Sequence, residues 1–225
     1  RFHGPLLARI FKIGVPGGLQ SVMYSVSNLL IQVCINAFGA STMAMWTAYG
    51  KIDAFGWMIL GAFGIAITTF VGQNFGAGDY QRVKKSIRVC LLMTAITMSG
   101  LIVLLFFFSE PLFAIFSNNP EIVHTGAYYI KIIAPFYLVY LFVEILSGAM
   151  RGVGETFIPL LITIFGICVF RVIWCFTAVP YTGDFMTVVL SYPITWVLTG
   201  GAFIVYYLRG KWLTKRMTIP TNSQK

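Results

Sequence analysis

Charge is what this sequence has least of. Only 10% of its 225 residues are charged, against about a quarter in an ordinary soluble domain. Acids are scarcer than bases: 7 Asp and Glu face 16 Lys and Arg, a net charge of +9. Histidine is nearly absent, with His3 and His124 alone. The 4 cysteines (Cys34, Cys90, Cys168, Cys175) form no C-x-x-C pair and fall within or at the edge of apolar runs. Zinc and disulfide frameworks are thereby disfavoured, and small apolar packing residues are the ordinary reading. No H-E-x-x-H, no G-x-S-x-G and no paired Cys/His ligands occur, so a hydrolase or metalloenzyme has no support. The expectation is a protein that is not an enzyme and holds no cofactor.

What the sequence has in abundance is apolar length. Hydrophobic residues make up 58% of the chain. They gather in six runs, over 13–37, 41–74, 88–109, 122–149, 156–180 and 185–208. Each is long enough to cross a bilayer core, which takes about 20 apolar residues. Lys and Arg occupy alternate gaps: the N-terminal stretch (Arg1, Arg9, Lys12), the second gap (Arg82, Lys84, Lys85, Arg88), the fourth (Arg151) and the tail (Arg209, Lys211, Lys215, Arg216, Lys225). The first, third and fifth gaps carry none. Under the positive-inside rule this alternation predicts an all-α membrane protein, a six-transmembrane-helix bundle with both termini cytoplasmic. Bases placed this way meet anionic headgroups of the lipid bilayer, so no nucleic-acid partner is expected. No cleavable signal peptide precedes the first run. The chain starts with Arg rather than Met, which reads as a piece of a longer polypeptide.

Polar residues interrupt the runs in a pattern. Gln20, Tyr24, Ser27/Asn28 and Gln32 recur every three or four positions on the first span, so they share one helix face. Such a face lines a cavity or bonds to neighbouring helices, and the spacing does not choose between the two. The second span is long enough that it must tilt, bend or project from the membrane. Pro135 is expected to kink the fourth span, whose second half carries Tyr137, Tyr140 and Glu144 at helical spacing. Trp and Tyr near span ends fit interfacial anchors.

Five ionisable residues lie inside spans: Lys51, Asp53, Lys131, Glu144 and Arg171. Each costs at least about 2.5–3.5 kcal/mol at a helix centre if it faces lipid. Counting the helical rise from the outer ends puts Lys51, Asp53, Lys131 and Arg171 at depths of about 14–18 Å, one midplane layer. Glu144 lies about 8 Å from the cytoplasmic end. Asp53 is therefore expected to pair with Lys131 or Arg171, either as a static register-setting ion pair or as a titratable group coupled to ion movement. Three bases and one acid in that layer suggest an anionic or zwitterionic solute, or acids contributed by a partner.

Two glycine-rich motifs occupy cytoplasmic gaps. One is Gly72-Gln73-Asn74-Phe75-Gly76-Ala77-Gly78. The other is Gly148-Ala149-Met150-Arg151-Gly152-Val153-Gly154. Neither is followed by Gly-Lys-Ser/Thr and neither follows a strand, so phosphate loops and dinucleotide folds are excluded. With Gly14-Val15-Pro16, Asn28, Phe38-Gly39 and Lys51-Ile52-Asp53, these motifs resemble the second lobe of the MATE (multidrug and toxic compound extrusion) exporters over residues 10–210.

The resemblance implies a twelve-helix antiporter of two six-helix lobes, with substrate between them and entry of H⁺ or Na⁺ driving export from the plasma membrane. This chain would be the C-terminal lobe, residues 13–208, and would need the missing N-terminal six-helix lobe as its partner. Residues 1–12 would end the linker between lobes, and 209–225 would form a cytoplasmic basic tail. Where some sodium-coupled members carry an acid on the first helix of this lobe, this chain has Tyr24. The Asp of the fourth helix falls near Tyr140, with Glu144 one turn away. On this basis Asp53 and then Glu144 are the ion-coupling candidates, with Lys51, Lys131 and Arg171 as charge partners. Gln20, Tyr24, Asn28, Gln32, Tyr137 and Tyr140 are expected to line the cavity for a small-molecule substrate. Two alternatives stand beside this: a flippase for lipid-linked precursors from the same superfamily, and a non-transporting membrane scaffold.

Overall fold

The computed structural model describes residues 3–210 and 212. Arg1, Phe2 and most of the basic tail assigned to 209–225 lie outside the described residues, as do the side chains of Arg9 and Lys12. Among the described residues eight α-helices follow one another: α1 (Gly4–Asn36), α2 (Ala40–Gly76), α3 (Tyr80–Ala114), α4 (Pro120–Ile133), α5 (Tyr137–Gly152), α6 (Phe157–Thr163), α7 (Phe170–Thr182) and α8 (Phe185–Leu208). A 3₁₀ turn over Ala134–Phe136 joins α4 to α5, and a π turn over Ile164–Val169 joins α6 to α7. Those two pairs are therefore single bent rods. The described residues contain six helices long and apolar enough to cross a membrane, and the last covers Phe185–Leu208, as the hydropathy pattern predicts.

The bends have chemical causes. Pro135 sits inside the 3₁₀ turn, where its missing N–H and ring break the helical ladder. In the π turn Gly166 lies directly against Thr199 of α8, leaving no room for a side chain. The long second span does not stop: α2 runs unbroken for 37 residues. The third helix is longer than its apolar run. It begins at Tyr80 rather than at 88, capped by Asp79, whose side chain accepts the Arg82 N–H at 2.9 Å. The basic residues from Arg82 to Arg88 thus belong to the helix itself, projecting past the apolar part. Hydropathy marks the span and misses the helix.

Burial grades across the bundle. The rod Pro120–Gly152 has 61% of its most apolar stretch buried, against 17% for the first span. The α4–α5 rod is the hub, and α1 presents Leu19, Val22, Val26, Leu29 and Val33 outward. Tyr137, Trp196, Phe113 and Phe203 are the largest side chains wholly buried.

The two glycine motifs are the same device used twice. Gly78 and Gly154 take φ of +78° and +81°. Each donates its N–H three residues back, to Phe75 O and Arg151 O. The residue after each, Asp79 or Glu155, donates five residues back, to Asn74 O and Met150 O, all near 2.9–3.0 Å. This pairing of bonds is the Schellman ending of a helix, which needs a left-handed residue at its turn. A Cβ at Gly78 or Gly154 meets open space, so the only penalty for Gly78→Ala or Gly154→Ala is the left-handed backbone, about 1–2 kcal/mol. Each substitution is expected to lower the free energy of unfolding in detergent by that amount. Gly14→Ala, in a helix with equally open space, should not lower it.

Upstream in the same motifs, glycine serves contact instead. Gly64, Thr68 and Gly72 on α2 face Gly148 and Gly152 on α5. The Thr68 hydroxyl lies 2.7 Å from Gly64 O and 3.0 Å from Gly148 O, tying the helices where their backbones touch. Small residues at four-residue spacing allow this approach in apolar surroundings.

Candidate functional site

A cavity of about 500 Å³ opens between α1, α2, α5, α7 and α8. The polar stripe of α1 supplies Tyr24, Asn28 and Gln32. From α2 come Trp46, Tyr49, Asp53, Trp57 and Gly61, spaced by three or four and so on one face. The remaining walls are Tyr140 and Glu144 of α5, Ile167 of the π turn, Arg171 of α7, and Tyr192 and Trp196 of α8. The bend at the π turn brings Ile167 and Arg171 to the same wall. Mid-helix π turns of this kind recur at functional sites.

Asp53 is the most elaborately held group. Its Oδ1 accepts hydrogen bonds from the Tyr137 hydroxyl and, at 3.4 Å, from the Tyr49 hydroxyl. Its Oδ2 accepts from Trp57 Nε1 at 2.6 Å. Bonds to an ionised acceptor are about twice as strong as neutral ones. Three neutral donors thus hold a carboxylate inside the bundle without an ion pair. This corrects the expected pairing of Asp53 with Lys131 or Arg171.

The midplane layer is corrected with it. Lys51 is exposed on the opposite side of α2 from the cavity wall. Lys131 leans toward α3, its Nζ 5.7 Å from the centre of the Phe106 ring. Neither lines the cavity. Depth along a helix axis fixes a layer but not a direction within it, and Lys51 and Asp53, two residues apart, point to different faces. The ionisable lining is therefore two acids and one base: Asp53, Glu144 and Arg171.

Glu144 is packed against Gly64, where any side chain would strike its carboxylate. Its Oε1 pairs with Arg151 at 3.4 Å. Arg151, read in the sequence as the base of the fourth gap and as part of a glycine motif, is thus the partner of a cavity acid two helical turns away. Arg171 is buried, with 4% of its surface exposed. Its Cζ lies 4.1 Å from the centre of the Tyr192 ring, and its Nη2 donates to Thr195 Oγ1 at 3.0 Å.

Of the six residues expected on the cavity wall, Tyr24, Asn28, Gln32 and Tyr140 are there, while Gln20 and Tyr137 are not. Tyr137 is fully buried behind Asp53. The hydroxyls of Tyr24 and Tyr140 meet at 3.3 Å across the cavity. The aromatic box went unread in the sequence. Trp196 stands 5.3 Å from Tyr140 and 6.0 Å from Trp57, and Trp46 stacks on Tyr49 at 4.6 Å. Trp196 lies mid-helix in α8, too deep for an interfacial anchor. The signal was present: Trp46, Tyr49, Asp53 and Trp57 share the helical spacing of a single face. A larger groove of about 1130 Å³ lies outside this site, on the surface between α2 and the start of α3, lined by Phe63, Phe70, Arg82, Lys84, Lys85 and Arg88 among others.

The chain is similar to known proteins over most of its length. The family model described as MatE matches residues 16–177. The probable multidrug resistance protein YoeA of Bacillus subtilis (strain 168) is 26% identical over 215 residues, covering 95% of this chain and 46% of that protein. Two solved structures share the fold. One is the outward-facing conformation of a multidrug resistance MATE family transporter of the MOP superfamily, with TM-score 0.85, 20% identity, 96% of this chain and 49% of that chain. The other is an inward-facing conformation of such a transporter, with TM-score 0.77, 21% identity, 98% of this chain and 51% of that chain. The chain spans about half the length of the curated relatives it matches.

Proposed function

Because the chain belongs to the MatE family, we propose that it forms one six-helix lobe of a secondary-active exporter of small organic molecules, driven by H⁺ or Na⁺ entering in exchange. The observation that carries the reading is Asp53, an intramembrane carboxylate held only by neutral donors on the wall of an aromatic cavity. Intramembrane acids with no static counter-ion suit ion coupling, since arrival of a cation or proton changes their charge without first breaking an ion pair. Glu144 is the second coupling group, already balanced by Arg151. Trp46, Trp57, Tyr140 and Trp196 offer flat apolar faces to a flat solute.

A second six-helix lobe, in the same chain or a partner, would close the cavity. Rocking of one lobe against the other then alternates access. The outward apolar face of α1 and the exposed bases at the start of α3 suit a plasma-membrane setting, with the bases at the cytoplasmic leaflet. Tight α2–α5 contact at Gly72, Gly148 and Gly152 makes the lobe a rigid unit for such rocking, with Gln73, Asn74 and Gly76 in the last turn of α2.

Everted membrane vesicles carrying the intact protein are expected to accumulate a fluorescent organic dye, either the cationic ethidium or the carboxylate-bearing rhodamine B, when a H⁺ or Na⁺ gradient is imposed, and to release it when an ionophore collapses that gradient. Correctly inserted protein that moves no dye under either gradient would sink this reading and favour the membrane scaffold.

A further inference from the structure

Arg171 is a buried charge with spare bonding capacity. A guanidinium has five N–H donors. The bond to Thr195 occupies one, and the buried Nε has no partner. Arg171 makes no ion pair with any described carboxylate. A cation taken out of water without an anion in contact is costly, and the Tyr192 ring and the more distant charge of Asp53 offset only part of that cost. Yet Arg171 lines the cavity. The arrangement is a preformed half of an ion pair.

The other charges in the cavity define what completes it. Asp53 and Glu144 share the space with Arg171, so a doubly charged phosphate would be repelled. A purely cationic solute would satisfy the acids and leave Arg171 unpaired. An amphoteric solute, with a cationic nitrogen and one carboxylate on an aromatic frame, complements both signs. The planar guanidinium fork matches a carboxylate.

We infer that Arg171 is the residue that holds the carboxylate of an amphoteric aromatic solute, and that this chain selects such solutes over their ester or decarboxylated counterparts. The inference rests on the reading of this cavity as the solute site. It assigns to Arg171 a role that neither Lys51 nor Lys131 can share, since both lie off the cavity wall.

Rhodamine B and its ethyl ester form a suitable pair, since they share a cationic ring system and differ by one carboxylate charge. Their binding to the intact detergent-purified protein is read by fluorescence anisotropy. The wild type is expected to bind rhodamine B more tightly than the ester. Arg171→Gln should weaken rhodamine B roughly thirtyfold or more, the scale for removing one partner of a buried charge pair, and leave the ester nearly unchanged. Arg171→Lys, which keeps the charge and loses the fork, should fall between. If Arg171→Gln does not fold, the wild-type preference and the Arg171→Lys ratio decide. A wild type that prefers the ester, or variants that weaken both dyes equally, would overturn the assignment. Binding of the ester alone removes the role of Arg171 but keeps the solute site. Binding of neither dye removes both.

Discussion

Gly152→Leu is expected to abolish recovery of folded, monodisperse protein, and even Gly152→Ala should lower the thermal midpoint measurably. An ideal Cβ at Gly152 would stand 2.7 Å from Thr68 O and 3.0 Å from the Val71 Cβ. One at Gly148 would stand 2.9 Å from Gly64 O. The nearest obstacle in both cases is backbone, which cannot rotate away as a side-chain tip can. The helices must separate, and the Thr68 bond across the interface goes with them. Overpacking of this kind typically costs about 1–3 kcal/mol for a single methyl group. Leucine adds three more heavy atoms to the same contact. Gly100→Ala is the matched control. Its Cβ meets nothing within 4 Å, and replacing a mid-helix glycine by alanine stabilises by up to about 1 kcal/mol. Opposite signs for Gly152→Ala and Gly100→Ala, measured by thermal denaturation with size-exclusion chromatography, are the expected result. An unchanged midpoint for Gly152→Ala would mean that the α2–α5 contact is loose.

The same glycines show what can be read from sequence. Six membrane spans follow from apolar length and the alternation of basic gaps, because lipid exposure imposes both on the chain. Turns follow from glycine and its neighbours. Direction around a helix follows less readily. Lys51, Lys131 and Arg171 share an expected depth, yet of the three only Arg171 reaches the cavity, because depth along a helix leaves the azimuth around it open. The Pro135 turn lies just after Lys131, and the π turn around Gly166 just before Arg171. The first of these bends was legible from proline. The second was not, since the glycine that permits it is one of 22. Hydrogen bonding between spans was hidden for a related reason. Tyr137 and Asp53 are 84 residues apart, and nothing local to either announces the other. The expectation of an ionic partner for Asp53 followed from counting charges alone. Tyrosine and tryptophan donors do the same work without charge.

Asp53→Asn is expected to uncouple transport from the ion gradient. Asparagine keeps the size of the side chain and can still accept from Trp57 or Tyr137, so the cavity wall should persist. What it cannot do is carry a charge that a proton or Na⁺ neutralises. Dye movement in vesicles should then no longer respond to an imposed gradient, although binding of the dye remains. Tyr137→Phe tests the support rather than the charge. It removes one bond to a charged acceptor, a loss of about 1.5–3 kcal/mol, from a residue that does not touch the cavity. The gradient dependence should survive while the rate drops by roughly tenfold, the smaller end of that range. Asp79→Asn, at the start of α3 and far from the cavity wall, should leave coupling intact. The three variants together separate the possible roles. A carboxylate serving only to fix helix register would make Asp53→Asn and Tyr137→Phe alike, both lowering stability and neither changing the response to the gradient. A coupling carboxylate makes them unlike. Gradient-driven transport that survives Asp53→Asn with Glu144→Gln would move ion coupling out of this lobe altogether and into the partner lobe.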